Sequence, residues 1–233
     1  MKLVKYSKKY IHYYTDELPP LIENIFTKYS IKSVADLGAG DGSILYALFS
    51  KGYLGNGRKV IAVDVSSERI NNVKNINDNI WAIVSDVCNL DMISDTSLDF
   101  VISSQVIEHV ISEESFIKEV NRILNKGGLF YLSTVFKKWY GWYFYRCNGR
   151  WRLDPTHLRE YTCKKRLLDL LKKYNFQVLE DKKALQWFAI SDFIFKRLGL
   201  GRSVYTSRVA KYIRRIRIPI LGYYNWELVL KRK

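Results

Sequence analysis

Residues 34–43, VADLGAGDGS, decide the fold of this chain. They begin as an apolar strand and continue into a loop that carries Gly38, Gly40 and Gly42. Glycine lets the backbone turn sharply there and lets a ligand lie directly against it. The spacing is not the G-x-G-x-x-G of a dinucleotide loop, and no Lys-Ser/Thr pair follows as in a P-loop. The loop therefore predicts a ligand other than a phosphate, although a tight turn alone has the same pattern.

Four more apolar segments follow the loop, and helical patterns separate them. The segments are VIAVDV at 60–65, WAIVSDV at 81–87, LDFVISS at 98–104 and GLFYLSTVF at 128–136. Strands that are apolar throughout and alternate with helices indicate a parallel sheet covered on both faces. Two last strands, NFQVLEDKKA at 175–184 and YYNWELVLKRK at 223–233, are expected to add a hairpin at the edge of this sheet. The fold class is therefore α/β.

Length and composition predict one folded domain. The chain has 233 residues, of which 48% are hydrophobic and 26% charged, which excludes a disordered or fibrous protein. We expect a single domain over 1–233, with an N-terminal helical cap at 1–30, a substrate-side segment at 137–165 and a basic aromatic insertion at 184–222. The three cysteines form no CxxC pair, and no apolar run is long enough to span a membrane. The expectation is a cytoplasmic protein, in solution or at the inner surface of a membrane.

The net positive charge of the chain comes entirely from its C-terminal part. Residues 1–133 carry 14 Lys/Arg and 16 Asp/Glu, whereas residues 134–233 carry 24 and 7. The C-terminal part also holds 20 of the 34 aromatic residues. A surface that mixes cations with aromatic rings favours an anionic partner.

Acidic side chains stand at the ends of the first three predicted strands. Asp36 lies in the first strand, Asp64 closes the second and Asp86 closes the third. The carboxyl ends of parallel strands meet at one edge of the sheet, and the ligand crevice of such sheets lies outside that edge. Carboxylates there would suit a cationic ligand and the hydroxyls of a ribose, whereas each Asp taken singly could also be a helix N-cap.

Together these segments resemble the class I S-adenosylmethionine-dependent methyltransferases, in particular the group with quinone-biosynthetic and other small-molecule enzymes. The matching motifs are VADLGAGDG, VIAVD, SDV, DFVISSQVIEHV and EVNRILNKGGLFYLST, in this order between residues 34 and 135. The resemblance implies a Rossmann-like sheet of seven strands in the order 3-2-1-4-5-7-6, with strand 7 antiparallel. It also implies S-adenosylmethionine as the cofactor, and a sulfonium cation without phosphates agrees with a glycine loop flanked by carboxylates.

The resemblance further implies where the parts of the cofactor lie. The methionyl part is expected at the glycine loop, the ribose at the end of the second strand, the adenine at the end of the third, and the methyl-donor side after the fourth. In that order, the residues are Asp36, Gly38, Ala39 and Gly40; Asp64 and Val65; Asp86 and Val87; and Ser104 and Gln105.

Candidate catalytic residues for the methyl acceptor follow the fourth and fifth strands. His109 stands beside Glu108 and has a neutral form available as a base near pH 7, and a histidine bonded to the backbone at a helix start is the alternative. His157 lies in RLDPTHLREYT, which resembles the family segment D-x-x-H-x-x-x-Y/F with Asp154 and Tyr161. Asp154 would raise the basicity of His157, or it would cap a helix on which His157 packs.

A metal is not predicted. In quinone O-methyltransferases of this group, a Glu three residues before the Glu-His pair can complete a divalent-metal site. That position is Gln105 here, which removes an anionic ligand.

Three functions compete on the sequence alone. The first is methyl transfer to a small-molecule or lipid-linked acceptor at oxygen. The second is RNA methylation through the basic C-terminal part, although SSQV stands after strand 4 where base-amine enzymes carry N-P-P-Y/F. The third is a non-catalytic scaffold that binds the cofactor.

The segment GRSVYTSRVAKYIRRIRIP at 201–219 predicts an amphipathic basic helix. Its apolar face contains Tyr205, Val209, Tyr212, Ile213 and Ile216, and cations occupy much of the remainder. Such a helix packs on its own domain, lies on an anionic membrane or contacts RNA. Aromatic neighbours that could serve as membrane anchors are Trp187, Phe188, Phe193 and Phe195.

Overall fold

The computed structural model describes residues 17–55, 57–143, 145–147, 149–189, 191, 198, 208–213 and 215–233. The strands are β1 (Ser33–Leu37), β2 (Lys59–Asp64), β3 (Ile80–Val84), β4 (Leu98–Ser104), β5 (Leu124–Lys137), β6 (Tyr145–Cys147), β7 (Arg150–Arg152), β8 (Phe176–Ala189) and β9 (Arg217–Arg232). The helices are α1 (Pro20–Lys28), α2 (Ser43–Ser50), α3 (Ser67–Lys74), α4 (Glu113–Ile123), α5 (Lys164–Lys173) and α6 (Arg208–Ile213). Most of the predicted N-terminal cap, residues 1–16, lies outside the described residues.

Seven strands form one sheet in the order β3-β2-β1-β4-β5-β9-β8. The pairs among β1 to β5 are parallel, whereas β9 runs antiparallel to both β5 and β8. The predicted order, with its last strand antiparallel, is confirmed. The strands β6 and β7 form a separate hairpin inside the substrate-side segment.

The sheet lies between two layers of helices. Alternate residues of a strand point to opposite faces, so Val34 of β1 belongs to one apolar cluster and Ala35 to the other. Residues of α1, α2 and α3 pack on the Val34 face, and those of α4 and α5 pack on the Ala35 face. Serine caps fix two of these helices: the side chain of Ser66 accepts the Arg69 N–H, and that of Ser112 accepts the Ser115 N–H. Because β1 to β5 are parallel, their carboxyl ends all lie at one edge of the sheet.

The terminal hairpin is longer than the sequence predicts. Both of its strands enter the predicted insertion 184–222, because β8 continues to Ala189 and β9 already begins at Arg217. The extra part is held by ladder pairs such as Trp187 with Pro219, beyond a register shift. Since β9 is antiparallel, this extension projects at the same edge as the carboxyl ends of β1 to β5.

The predicted amphipathic basic helix is described only in part, as α6. Tyr205, Phe193 and Phe195 lie outside the described residues. In the described ranges, no helix has both the length and the apolar character that crossing a bilayer requires.

Candidate active site

The glycine loop after β1 is packed tightly at two glycines and open at the third. A Cβ on Gly38 would lie 2.3 Å from the Val106 side chain, and one on Gly42 would lie 2.5 Å from Ile76. At Gly40 it would meet only the Arg69 guanidinium, at 3.6 Å. Gly38 and Gly42 thus allow close packing of the loop, whereas the backbone at Gly40 is less crowded and has only Arg69 beside it.

Asp64 ties the glycine loop to the end of β2. One carboxylate oxygen accepts the Gly40 N–H at 2.9 Å, and the other accepts the Ser66 N–H at 2.9 Å. The N–H groups of Gly38 and Ala39 bind the Val63 carbonyl at 2.7 and 2.9 Å. A carboxylate oxygen can accept two hydrogen bonds, so Asp64 keeps capacity for ligand hydroxyls.

Asp36 is a buried carboxyl group beside this loop. It is 2% exposed, and its Oδ2 has no hydrogen-bond partner among the described residues. Burial, and then the charge of Asp64, raise the pKa of Asp36 to about 7. A buried carboxyl oxygen without a partner favours a cationic ligand, because such a ligand would supply both a hydrogen bond and the missing charge.

The remaining cofactor-side residues line the same edge at the ends of β2, β3 and β4. Val65 is exposed and Val87 buried, and Asp86 is exposed with its Oδ1 accepting the Cys88 N–H at 2.9 Å. The Ser104 hydroxyl lies 2.9 Å from the Ser133 hydroxyl. Gln105 has a φ of 58° and donates its side-chain N–H to Asn225 at 2.9 Å. These residues all follow the carboxyl ends of parallel strands and therefore lie at one edge of the sheet, and their contacts with a cofactor stay a prediction.

A second group of side chains lies after β4 and consists of Glu108, His109 and His157. The two imidazole rings are 4.8 Å apart between centroids and meet at 66°. Glu108 and His157 are buried, and the Thr134 hydroxyl donates to one Glu108 oxygen at 2.9 Å. Burial, and then the nearby His157, lower the pKa of His109 to about 4, so His109 is neutral at physiological pH.

His157 is held by a carboxylate that the sequence analysis did not single out. Its Nδ1 lies 3.1 Å from Oε1 of Glu160, and both side chains are buried. The Leu153 N–H donates to the same Glu160 oxygen at 2.7 Å. On the other oxygen, Tyr223 OH approaches to 3.4 Å and the Lys137 ammonium to 3.6 Å. A carboxylate anchored in this way fixes the orientation of the imidazole.

Comparison with known proteins finds methyltransferases. Residues 35–132 match the methyltransferase domain family. A ubiquinone biosynthesis O-methyltransferase of Pelagibacter ubique is 27% identical over 172 residues, which are 67% of this chain and 70% of that protein. A Mycobacterium tuberculosis protein described as a probable S-adenosylmethionine-dependent methyltransferase is 31% identical over 100 residues, or 43% of this chain and 34% of that protein.

Over residues 35–132, the chain is therefore similar to methyltransferase domains, and the Mycobacterium tuberculosis relative is described as dependent on S-adenosylmethionine. Solved structures share its fold. An S-adenosylmethionine-dependent methyltransferase from Methanosarcina mazei is similar with a TM-score of 0.61 at 18% identity, over 93% of this chain and 98% of that chain. The [4+2]-cyclase SpnF is similar with a TM-score of 0.64 at 15% identity, over 91% and 78%. Since one of these neighbours is named a cyclase, the fold alone does not fix the reaction of a domain.

Asp154 and Glu160 contact different side chains near the two histidines. Asp154 accepts the Thr156 N–H at 2.7 Å and the Thr156 hydroxyl at 2.5 Å, and that hydroxyl lies 3.2 Å from Nδ1 of His109. Glu160 lies 3.1 Å from Nδ1 of His157. The prediction that Asp154 raises the basicity of His157 stays a prediction.

Tyr161 is a buried residue of the apolar core. Its ring packs edge-to-face on Trp226 at 5.8 Å, and its hydroxyl donates to Glu113. Burial, followed by the hydrogen bond with Glu113, raises the pKa of Tyr161 far above its usual range. These contacts give Tyr161 a structural role, and its predicted catalytic role stays a prediction.

Arg69 is a further residue that the sequence analysis missed. It lies in the first turn of α3, and its guanidinium extends to the backbone of Gly40. The buried Nε has no hydrogen-bond partner among the described residues. Its charge also contributes to the lowered pKa of His109. A cation with an unsatisfied N–H between the glycine loop and His109 can bind an anionic group of a ligand.

Glu108, His109 and His157 also offer ligand atoms that all lie within 4.8 Å of one another. Imidazole and carboxylate groups suit several divalent metals. Gln105 donates its side-chain N–H to Asn225, and the sequence analysis does not expect it to act as an anionic metal ligand. The prediction that the protein needs no metal stays a prediction.

Proposed function

We propose that the protein transfers a methyl group from S-adenosylmethionine to a hydroxyl oxygen of a small, lipid-linked acceptor. The observation that carries the proposal is the buried contact between Nδ1 of His157 and Glu160, because a hydroxyl acceptor must lose its proton and needs a base. The similarity to an enzyme named as a ubiquinone biosynthesis O-methyltransferase supports transfer to oxygen.

The residues at the crevice fit the cofactor. When bound, S-adenosylmethionine supplies a methyl group on a cationic sulfur. Asp36, whose Oδ2 has no partner among the described residues, would balance the positive charge of the methionyl part, and Arg69 would bind its carboxylate. Asp64 would accept the ribose hydroxyls, and the ends of β3 and β4 would contact the adenine and border the methyl donor.

On the acceptor side, each residue has a role that follows from its contacts. We assign the Nδ1 proton of His157 to the hydrogen bond with Glu160, which leaves Nε2 free to take the proton of the acceptor hydroxyl. Lys137 and Tyr223 hold Glu160 from its other oxygen, so Glu160 acts as a positioning residue. Because His109 is neutral, it adds no positive charge of its own to the site. Alignment of acceptor and methyl in a site shielded from water would supply much of the remaining rate.

Labelled methyl transfer to fractions of an extract from the source organism tests the proposal. We expect label in the lipid fraction. The variant His157→Ala should lose roughly 10²-fold or more in turnover, with an unchanged Kd for S-adenosylhomocysteine by calorimetry. Glu160→Gln should lower kcat with little change in KM, and Glu160→Asp should recover part of it. Glu180→Gln, at an exposed carboxylate paired with Lys182, is the matched control.

Each other outcome contradicts a defined part of the proposal. Loss of S-adenosylhomocysteine binding in His157→Ala would assign that residue a structural role. Label in RNA would favour the RNA methyltransferase, and binding of the cofactor without transfer to any fraction would favour the scaffold. Activity that a chelator abolishes and a divalent metal restores would assign His157 to a metal site in place of the base.

A further inference from the structure

The extension of the terminal hairpin carries large apolar side chains that nothing covers in the described part of the chain. Trp187 is 56% exposed and Leu221 is 68% exposed. Paired residues of neighbouring strands share a face, as do residues two apart on one strand. Because Trp187 pairs with Pro219, these two residues lie on one face of the hairpin, and the exposed Leu221 follows Pro219 at the register shift.

A second exposed aromatic group adjoins this face. Trp139 follows the end of β5 and is 91% exposed, with its ring edge-to-face on Tyr140 at 5.5 Å. The Lys138 N–H donates to the Gly222 carbonyl at 2.8 Å, which places this turn next to Leu221. We call the set of Trp139, Tyr140, Trp187 and Leu221 the aromatic edge.

The segment before β9 extends the same character. In α6 and the turn after it, Val209, Tyr212 and Ile216 are all exposed. These three residues of the predicted apolar face are therefore accessible at the surface, and the rest of the predicted helix lies largely outside the described residues. The segment leads directly into Arg217, the first residue of the hairpin extension.

The segments that contribute the aromatic edge are rich in cations. Residues 182–226 contain ten Lys/Arg and a single acidic residue, Asp192. Lys138, Arg215 and Arg217 are exposed, and no carboxylate of the described residues pairs with them. Exposed tryptophan and aliphatic side chains with cations near them are typical of a surface that enters the headgroup region of an anionic bilayer.

We propose that the aromatic edge docks the protein on an anionic lipid bilayer. The inference rests on the proposed function, because a lipid-linked acceptor would reach the crevice from this side. The edge adjoins the acceptor-side residues: Lys137, the last residue of β5, contacts Glu160, and Lys138 begins the turn that carries Trp139. A bilayer is favoured over RNA because Leu221, Val209 and Ile216 are aliphatic, and bases stack on aromatic rings.

Co-sedimentation with vesicles tests the docking surface. The wild type should bind vesicles of equal phosphatidylglycerol and phosphatidylcholine at 50 mM NaCl, bind less at 500 mM, and bind pure phosphatidylcholine weakly. The combined variant Trp139→Ala, Trp187→Ala and Leu221→Ala should lose at least 10-fold in partitioning. Trp81→Ala is the matched control, since Trp81 is also exposed but lies on β3 at the opposite side of the sheet.

Calorimetry with S-adenosylhomocysteine separates this inference from the proposed function. The combined variant should bind that ligand as the wild type does, which shows that its fold is intact. Absence of wild-type binding to anionic vesicles at low salt would overturn the docking surface, as would equal binding by the combined variant. Salt-sensitive binding to polyuridylate without binding to vesicles would reassign the edge to nucleic acid. Failure of S-adenosylhomocysteine binding would overturn only the proposed function.

Discussion

Replacing Asp36 with Asn should stabilise the ligand-free protein at alkaline pH and weaken its hold on the cofactor. Burial, and then the charge of Asp64, raise the pKa of Asp36 from 3.8 to about 7. The folded protein therefore keeps the Asp36 proton over a range in which the unfolded chain has released it. The free energy of unfolding consequently falls as the pH rises from about 4 to 7, and the full penalty is present above pH 7.

The size of the effect follows from the same two pKa values. A rise from 3.8 to about 7 corresponds to roughly 4 kcal/mol when the group is fully ionised. By linkage, the free energy of unfolding of the wild type loses about 2.5 kcal/mol of this amount as the pH rises from 5 to 8. Asn has nearly the same shape as Asp and carries no charge, so the variant lacks this part of the penalty. The buried Glu108, whose pKa burial raises to about 7, contributes equally to both proteins and cancels in their difference.

Urea unfolding at pH 5 and pH 8 without ligand measures the effect. Relative to the wild type, Asp36→Asn should gain about 2.5 kcal/mol between the two pH values. Asp91→Asn, at an exposed carboxylate, should show no such gain. Calorimetry should show weaker binding of S-adenosylmethionine to Asp36→Asn, because the cation loses its counter-charge. A difference from the wild type that is the same at both pH values would refute a protonated, buried Asp36.

Two more substitutions test the cofactor contacts. Arg69→Ala should weaken binding of S-adenosylhomocysteine by roughly 10-fold or more, and Arg69→Lys should have an intermediate effect. Binding of 5′-methylthioadenosine, which lacks the carboxylate, should not change. An equal loss of affinity for both ligands in calorimetry would show that Arg69 does not bind the carboxylate. Asp64→Ala should weaken cofactor binding by roughly 1–3 kcal/mol and also lower the melting temperature, because the Gly40 and Ser66 N–H groups lose their acceptor. The exposed Asp86 serves as its control, since Asp86→Ala should weaken binding with little change in melting temperature; unchanged affinity in Asp64→Ala would contradict the ribose contact.

The parallel sheet and the motifs at its carboxyl edge could be predicted because their signals are local, whereas the strand order followed from the family resemblance. The glycines after β1 and the carboxylates at the ends of β2 and β3 are read directly from short motifs, and parallel strands place them together. The close contact of Gly38 with Val106 shows the same constraint in the folded protein. Local pattern and tertiary structure agree wherever the spacing within one strand and its following loop decides the position.

The acceptor side could not be predicted in the same way, because its contacts join segments distant along the chain. Glu160 reaches His157 only after the turn at 154–157, and its other oxygen meets Lys137 of β5 and Tyr223 of β9. A spacing of four residues between His157 and Tyr161 gives no information about which ring faces the core. The direction of the Arg69 side chain likewise depends on where α3 lies against the glycine loop.

The weakly negative N-terminal part and the strongly positive C-terminal part of the chain adjoin at the end of β5. This arrangement would let the cofactor and the acceptor reach one site. The carboxyl groups that would hold a cationic cofactor, Asp36 and Asp64, belong to the part with a slight negative charge, and the aromatic edge belongs to the strongly positive part. Lys137 joins them, since it ends β5, contacts Glu160 and precedes the exposed turn at Trp139. A cofactor from the aqueous phase and an acceptor from a lipid surface would then approach the same crevice from two sides, so that neither has to cross the path of the other.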